Sequence, residues 1–209
     1  MNCLKTEEGI LIIVSAPSGC GKSTVVRALM ERRKNLRFSV SATTRKPREG
    51  EVDGVDYFFV SGEEFERMIE AGEFLEHAEY VGNCYGTPRE PVERQLRDGN
   101  DVYLDIDVQG AMQVKVLRPE TLMIFLMPPS MEELERRLVL RGTNTPEEIR
   151  DRLAAAEREC AYRDAFDYVV VNDVVDRAVE EISTLIDRKK HGKKLLNEVF
   201  NHDALSSGR

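Results

Sequence analysis

The sequence is poor in the residues that hold soft metals or build disulfide frameworks. It has four cysteines (Cys3, Cys20, Cys84 and Cys160) and three histidines (His77, His191 and His202), and neither set is spaced as a metal site. A chain of 209 residues needs no disulfide staples, so reduced thiols in a cytoplasmic protein are the simpler expectation. A membrane anchor is not expected: the run that could mimic a signal peptide, residues 10–16, follows Thr6-Glu7-Glu8 instead of a basic region and is too short to span a bilayer. Repeats and low-complexity tracts are missing. Positive charge is in deficit, since 30 Lys and Arg against 38 Asp and Glu leave −8. That balance argues against a general nucleic-acid or anionic-membrane binder, yet it permits a local basic pocket.

What is present is a periodic α/β pattern. Short apolar runs at residues 10–15, 101–106, 121–127 and 168–171 read as buried strands, with helical patterns between them. This alternation predicts a parallel sheet with crossover helices. Ser61 with Glu64 and Ser130 with Glu133 read as capping boxes, and Thr145-Pro-Glu-Glu148 places proline at a first helical position. Phe65, Met68 and Ile69 keep helical spacing after Ser61, and Gly72 is placed to end that helix. Two stretches break the rhythm and read as insertions: a small substrate lobe at about 38–89 and a mobile lid at about 128–157. The core is then expected from about 8–37, 90–127 and 158–209, all in one domain. The basic tail with Arg188, Lys189, Lys190, Lys193 and Lys194 reads as a solvated helix end.

The segment SAPSGCGKST, residues 15–24, follows the first strand and opens a helix. That is the context a phosphate-binding loop requires. Backbone N–H groups of Ser15, Ala16, Pro17, Ser18, Gly19, Cys20, Gly21, Lys22, Ser23 and Thr24 (proline excepted) can line one concavity, and the helix N-terminus adds positive potential. Lys22 would reach the β- and γ-phosphates of ATP, and the Ser23 hydroxyl would ligate Mg²⁺. The strict pattern wants glycine where Ala16 stands, which the loop tolerates if that backbone suits an L-residue. Cys20 lacks a partner histidine and reads as a small filler rather than a nucleophile. The N-K-x-D sequence of a guanine-reading GTPase does not occur.

Further blocks follow in order: SATTRKPREGEVDGVDYFF, EFLEHAEYVGNCYGT, LDIDVQGA, RRLVLRGTNTPEEIRDRL and YVVVND. With the loop, they make the chain resemble the guanylate kinase family, P-loop enzymes that phosphorylate GMP with ATP, over most of residues 10–173. The resemblance implies a three-layer P-loop fold carrying a GMP-binding lobe and a lid. It implies that Arg45, Arg48, Tyr57 and Tyr85 hold the GMP phosphate, a role that suits planar guanidinium groups. It gives Glu76 the guanine N1–H and 2-amino group, Ser41 and Thr87 the O6, and Asp107 the base region. Arg141 and Arg152 fall to the transferring phosphate, with Arg137 as a further lid candidate. Asp105 is expected to act on Mg²⁺ through water. Asn172 is expected at the adenine, with a turn-forming role as the alternative.

A phosphate monoester with a second pKa near about 6 is mostly dianionic at neutral pH, so the acceptor needs no general base. The reaction then requires screening of two anions and exclusion of water. The expected partners are GMP and ATP, with dGMP as a second acceptor, in purine nucleotide metabolism; self-association is left open. The rival is a guanylate-kinase-like scaffold module that holds phosphopeptides in the same lobe. The intact Lys22 and Ser23, and a length that leaves no room for flanking interaction domains, favour the enzyme.

Overall fold

The computed structural model describes residues 7–140, 142 and 145–206, with side chains as far as Lys193. Strand β1 (Leu11–Ser15) runs into the glycine-rich turn and α1 (Lys22–Arg32), then β2 (Leu36–Phe38). The chain leaves for β3 (Ala42–Thr43), β4 (Phe58–Phe59), α2 (Gly62–Glu70) and a hairpin of β5 (Phe74–Tyr80) and β6 (Asn83–Pro88). It returns through α3 (Arg89–Arg97) to β7 (Asp101–Leu104), α4 (Val108–Leu117) and β8 (Leu122–Met127). Helices α5 (Met131–Leu140) and α6 (Pro146–Cys160) come next, then β9 (Tyr168–Val171) and α7 (Val175–Ser206).

The main sheet has the order β2-β7-β1-β8-β9, and every pairing is parallel. Strand β1 is buried at all its residues because both faces are covered. Ile12 and Val14 join Val25, Leu29 and Ile182 in one apolar cluster. Leu11 and Ile13 join Val92, Val114 and Phe125 in the other. Two helix layers around one sheet confirm the expected α/β class. A second, four-stranded sheet of order β4-β3-β6-β5 forms the inserted lobe, with its own small core of Ala42, Phe65 and Phe74.

The four apolar runs became β1, β7, β8 and β9. Strand β2 escaped detection because it is a three-residue edge strand whose last two residues are exposed. At the end of α2, Gly72 takes φ 65°. Gly72 N–H bonds Ile69 O at 2.9 Å and Glu73 N–H bonds Met68 O at 2.9 Å, the paired return bonds of a Schellman motif. The capping boxes are a partial correction. Ser61 and Ser130 hydroxyls do accept from Glu64 and Glu133 N–H. The reciprocal carboxylates go elsewhere: Glu64 to Arg67, and Glu133 to Arg136 and Arg137. Among the described residues, Thr145 forms the full reciprocal box, with Glu148.

The basic tail also departs from expectation. Lys190 Nζ lies 2.9 Å from the buried Asp101 carboxylate, and Lys193 Nζ 3.1 Å from both Glu8 and the Gly9 carbonyl. These lysines tie α7 to the sheet. Lys194 lies outside the described side chains.

Candidate active site

Parallel strands place their C-terminal ends on one edge, where ligands of open α/β sheets bind. Register pairs Ile13 with Leu104, so the turn after β1 and the acidic segment after β7 emerge side by side. Between them lies a cleft of about 390 Å³ lined by Ser15, Ala16, Pro17, Ser18, Gly19, Gly21, Lys22, Ser23, Thr24, Asp105, Asp107 and Glu159, among others. The loop's left-handed angles fall on Gly19, φ 91°, and Gly21, φ 94°. Ala16 is not among the positive-φ residues, so the alanine is accommodated without strain. A side chain at Gly19 would also strike Leu138 Cδ2 at 2.7 Å, because α5 packs directly on the loop.

Lys22 Nζ stands 2.6 Å from Asp105 Oδ1. The Tyr103 hydroxyl donates to the same oxygen at 2.9 Å. Both donors act on one oxygen of an exposed carboxylate that lines the cleft together with Ser23. Cys20 is buried, donates to Leu126 O at 3.4 Å, and burial pushes its thiol up to about 12. A thiol so held is no nucleophile at neutral pH. The loop is braced from behind: Cys20 O accepts from Asn172 Nδ2 at 2.8 Å and from Arg137 at 3.4 Å. Asn172 is 3 % exposed and does not line the cleft, so its amide serves the loop backbone; Arg137 also donates to Asn172 O at 2.9 Å.

In the lobe, register pairs Glu76 with Thr87, Ala78 with Tyr85, and Thr43 with Tyr85. Alternation then puts Glu76, Thr87 and Tyr85 on one face of the second sheet. The Thr87 hydroxyl donates to Glu76 Oε1 at 2.6 Å. Glu76 is 8 % exposed, and burial raises its carboxyl above the ordinary range, with Thr87 pulling the other way and Asp107 adding to the rise. Arg45 lies 5.3 Å over the Tyr57 ring, and the Tyr57 and Tyr85 rings are 6.1 Å apart. Arg45, Tyr57 and Tyr85 therefore converge. Arg48 is exposed, and its N–H donates to Glu51 at 2.7 Å. Ser41 is half-buried just before β3, where its carbonyl accepts from Phe58 N–H at 2.9 Å. Asp107 caps α4 by accepting from Gly110 N–H at 2.8 Å. It lines the phosphate cleft and bears on Glu76, so the two groups of residues meet at the start of α4.

In the lid region, Arg152 reaches the Ser18 hydroxyl at 3.5 Å. Arg141 lies outside the described residues. Two contacts had no sequence signal. Glu51 forks Arg45 at 2.8 and 2.9 Å, pairing that guanidinium within the chain. Glu159 accepts from the Ser18 N–H of the loop at 3.2 Å. Both are long-range or conformational pairings that no local pattern encodes.

Fold and cleft together define a P-loop protein with a second cluster of polar side chains beside its phosphate loop. The guanylate kinase family model matches residues 8–189. The chain is 53 % identical over 184 residues to the guanylate kinase of Caldanaerobacter subterraneus subsp. tengcongensis, covering 88 % of this chain and 89 % of that one. It is 52 % identical over 181 residues to the guanylate kinase of Bacillus subtilis, covering 86 % and 89 %. The crystal structure of guanylate kinase from Anaplasma phagocytophilum superposes with a TM-score of 0.68 at 39 % identity, covering 88 % and 87 % of the two chains. The chain belongs to the guanylate kinase family.

Proposed function

We propose that this chain transfers the γ-phosphoryl group of MgATP to GMP, giving ADP and GDP, and that dGMP serves as a second acceptor. The observation that carries this reading is the junction at α4: Asp107 lines the phosphate cleft and also bears on Glu76, so a triphosphate and a purine monophosphate held by these residues would share one space. The core comprises about 8–37, 90–127 and 158–209, the acceptor lobe about 38–89 and the lid about 128–157.

The triphosphate sits along the loop from Ser15 to Thr24, with Lys22 leaving Asp105 to reach the β- and γ-oxygens. Arg45, Arg48, Tyr57 and Tyr85 hold the acceptor phosphate, with Arg45 released from Glu51. Glu76 accepts from guanine N1–H and the 2-amino group; Ser41 and Thr87 face O6. Adenine carries an acceptor at N1 and lacks that amine, so it leaves the carboxylate poorly paired. Hydrogen bonds to charged groups contribute about 1.5–3 kcal/mol each, enough for most of the base choice. Asp107 lies beside the base pocket. An acceptor oxygen attacks the γ-phosphorus as the bond to the β–γ bridging oxygen breaks, and Arg141, Arg152 and Lys22 screen the charge. No side chain has to remove a proton from the dianionic acceptor.

The Ser23 hydroxyl and Asp105 carboxylate are hard oxygen donors at the loop, which suits Mg²⁺, an ion that keeps several waters and takes few protein ligands. Bound there, it would neutralise charge on the β- and γ-phosphates. Asn172 and Arg137 act behind the loop, bracing the Cys20 carbonyl. The setting this activity implies is purine nucleotide metabolism in the cytoplasm; no described helix is long and apolar enough to cross a membrane. A phosphopeptide-binding module would have no use for Lys22 and Ser23.

Lys22→Met is the direct test. A coupled assay with ATP and GMP should show kcat reduced by about two orders of magnitude or more, the typical loss when a preorganised charge at the reacting centre is removed, with the melting temperature preserved. Near-normal turnover would refute the role of the loop.

A further inference from the structure

Gly110 sits in the first turn of α4, buried, and its φ lies outside the left-handed range. Its backbone therefore does not require glycine. Glycine inside a helix is about 1 kcal/mol less favourable than alanine. The neighbours supply the reason for it. A Cβ built at position 110 would lie 2.8 Å from Glu76 Oε2, 3.4 Å from Glu76 Cδ and 3.3 Å from Ile106 Cβ. The other carboxylate oxygen, Oε1, takes the Thr87 hydroxyl at 2.6 Å. The Glu76 carboxylate thus occupies the volume a side chain at 110 would fill, fixed between the β6 hydroxyl and the α4 backbone.

We infer that Gly110 is a specificity-positioning residue, whose missing side chain leaves the slot that sets where the Glu76 carboxylate presents itself to the acceptor base. This rests on the proposed reading of guanine by Glu76. The group that a methyl at 110 meets most closely is the far end of a flexible side chain. The fold can relieve that overlap by rotating Glu76, and the helix gains a better helix former. Base reading cannot relieve it in that way, because rotation takes the carboxylate off Thr87 and out of register with the N1–H and 2-amino pair.

The test measures kcat and KM for GMP, IMP and ATP, with melting temperature, in wild type, Gly110→Ala, Glu76→Gln and Gly62→Ala. IMP lacks only the 2-amino group. Gly62 opens α2, and a Cβ there meets nothing within 4 Å, so its variant controls for adding a methyl to a helix of the lobe. In Gly110→Ala, KM for GMP should rise on the order of tenfold, the loss of one hydrogen bond to a charged group. The preference for GMP over IMP should fall toward that of Glu76→Gln. KM for ATP and kcat at saturation should hold, and Gly62→Ala should match wild type. If Glu76→Gln loses base preference while Gly110→Ala keeps it, the positioning role is wrong and the base reading stands. If Glu76→Gln keeps full preference, the base reading fails and the inference falls with it. If Gly110→Ala lowers the melting temperature and raises both KM values together, residue 110 is merely structural and the inference is overturned.

Discussion

Glu76 is the residue at which stability and recognition pull apart. Its carboxyl is raised mainly by burial, so the native protein holds that proton more tightly than the unfolded chain does. By linkage, the protonated form stabilises the fold below the ordinary carboxylate range, and that contribution is lost as pH rises through the native value. Above that value the fold holds a desolvated anion, paired by the Thr87 hydroxyl. Glu76→Gln removes the charge and keeps a group that can accept from Thr87. Its melting temperature without nucleotide should exceed that of wild type at pH 7, and the difference should shrink as pH falls through the raised native value and level off below about 4.3, where unfolded glutamate is protonated too. Scanning calorimetry across that range checks the sign; a variant less stable than wild type at pH 7 would count against it.

Among the elements, α5 and α6 do the least visible work. Helix α5 sends Arg137 to the Cys20 and Asn172 carbonyls, and α6 sends Glu159 to the Ser18 N–H. The contacts to Cys20 and Ser18 end on the phosphate loop, so the helices after β8 are tied to it directly. Glu159 places a negative charge on a backbone donor of the cleft that an ATP phosphate would approach. The contact is exposed, and such interactions are worth about 0.2–1 kcal/mol. Glu159→Gln should therefore tighten ATP binding by up to about fivefold by titration calorimetry; unchanged or weaker binding would mean the carboxylate does not compete. None of this was legible beforehand. The strands β1, β7, β8 and β9 were, because a strand buried on both faces writes a continuous apolar run. So was the phosphate loop, because glycines, lysine and serine must be adjacent there. The β5–β6 hairpin was not, since its ladder holds Glu76, Tyr85 and Thr87, polar residues that interrupt the apolar pattern of a core strand. Glu51 and Glu159 were invisible for a different reason. Nothing local distinguishes a carboxylate that folds onto an arginine or a loop N–H from one of the many solvated acids. Asn172 shows the same limit: its position after β9 was clear, but its commitment to the Cys20 carbonyl depends on a contact 152 residues away.

At the scale of the whole molecule, the main sheet has two poles with separate duties. The C-terminal ends of β1 and β7 carry the cleft, lined by polar groups such as Lys22, Ser23 and Asp105. The opposite end is locked by Asp101, whose side chain is fully buried at the start of β7. Its oxygens accept from Ile10 N–H at 3.2 Å, Asn35 Nδ2 at 2.9 Å and Lys190 Nζ at 2.9 Å. One carboxylate thus joins β1, the turn before β2, β7 and the long helix α7. Removing one partner of a buried ion pair typically costs about 3–5 kcal/mol, because a charge is left uncompensated. Here Lys190 is 28 % exposed and Arg33 stands 3.9 Å from the same carboxylate, which softens the loss. Lys190→Met keeps the apolar stem and should cost about 2 kcal/mol, or about 4–8 °C in melting temperature for a chain of this size. Because the lock lies at the far end of the strands from Lys22 and Asp105, kcat and both KM values should match wild type at a temperature well below the transition. A variant that melts normally would show the pair to be dispensable. One that melts early and also loses affinity for ATP would show that the two poles are mechanically coupled through β1, the strand they share.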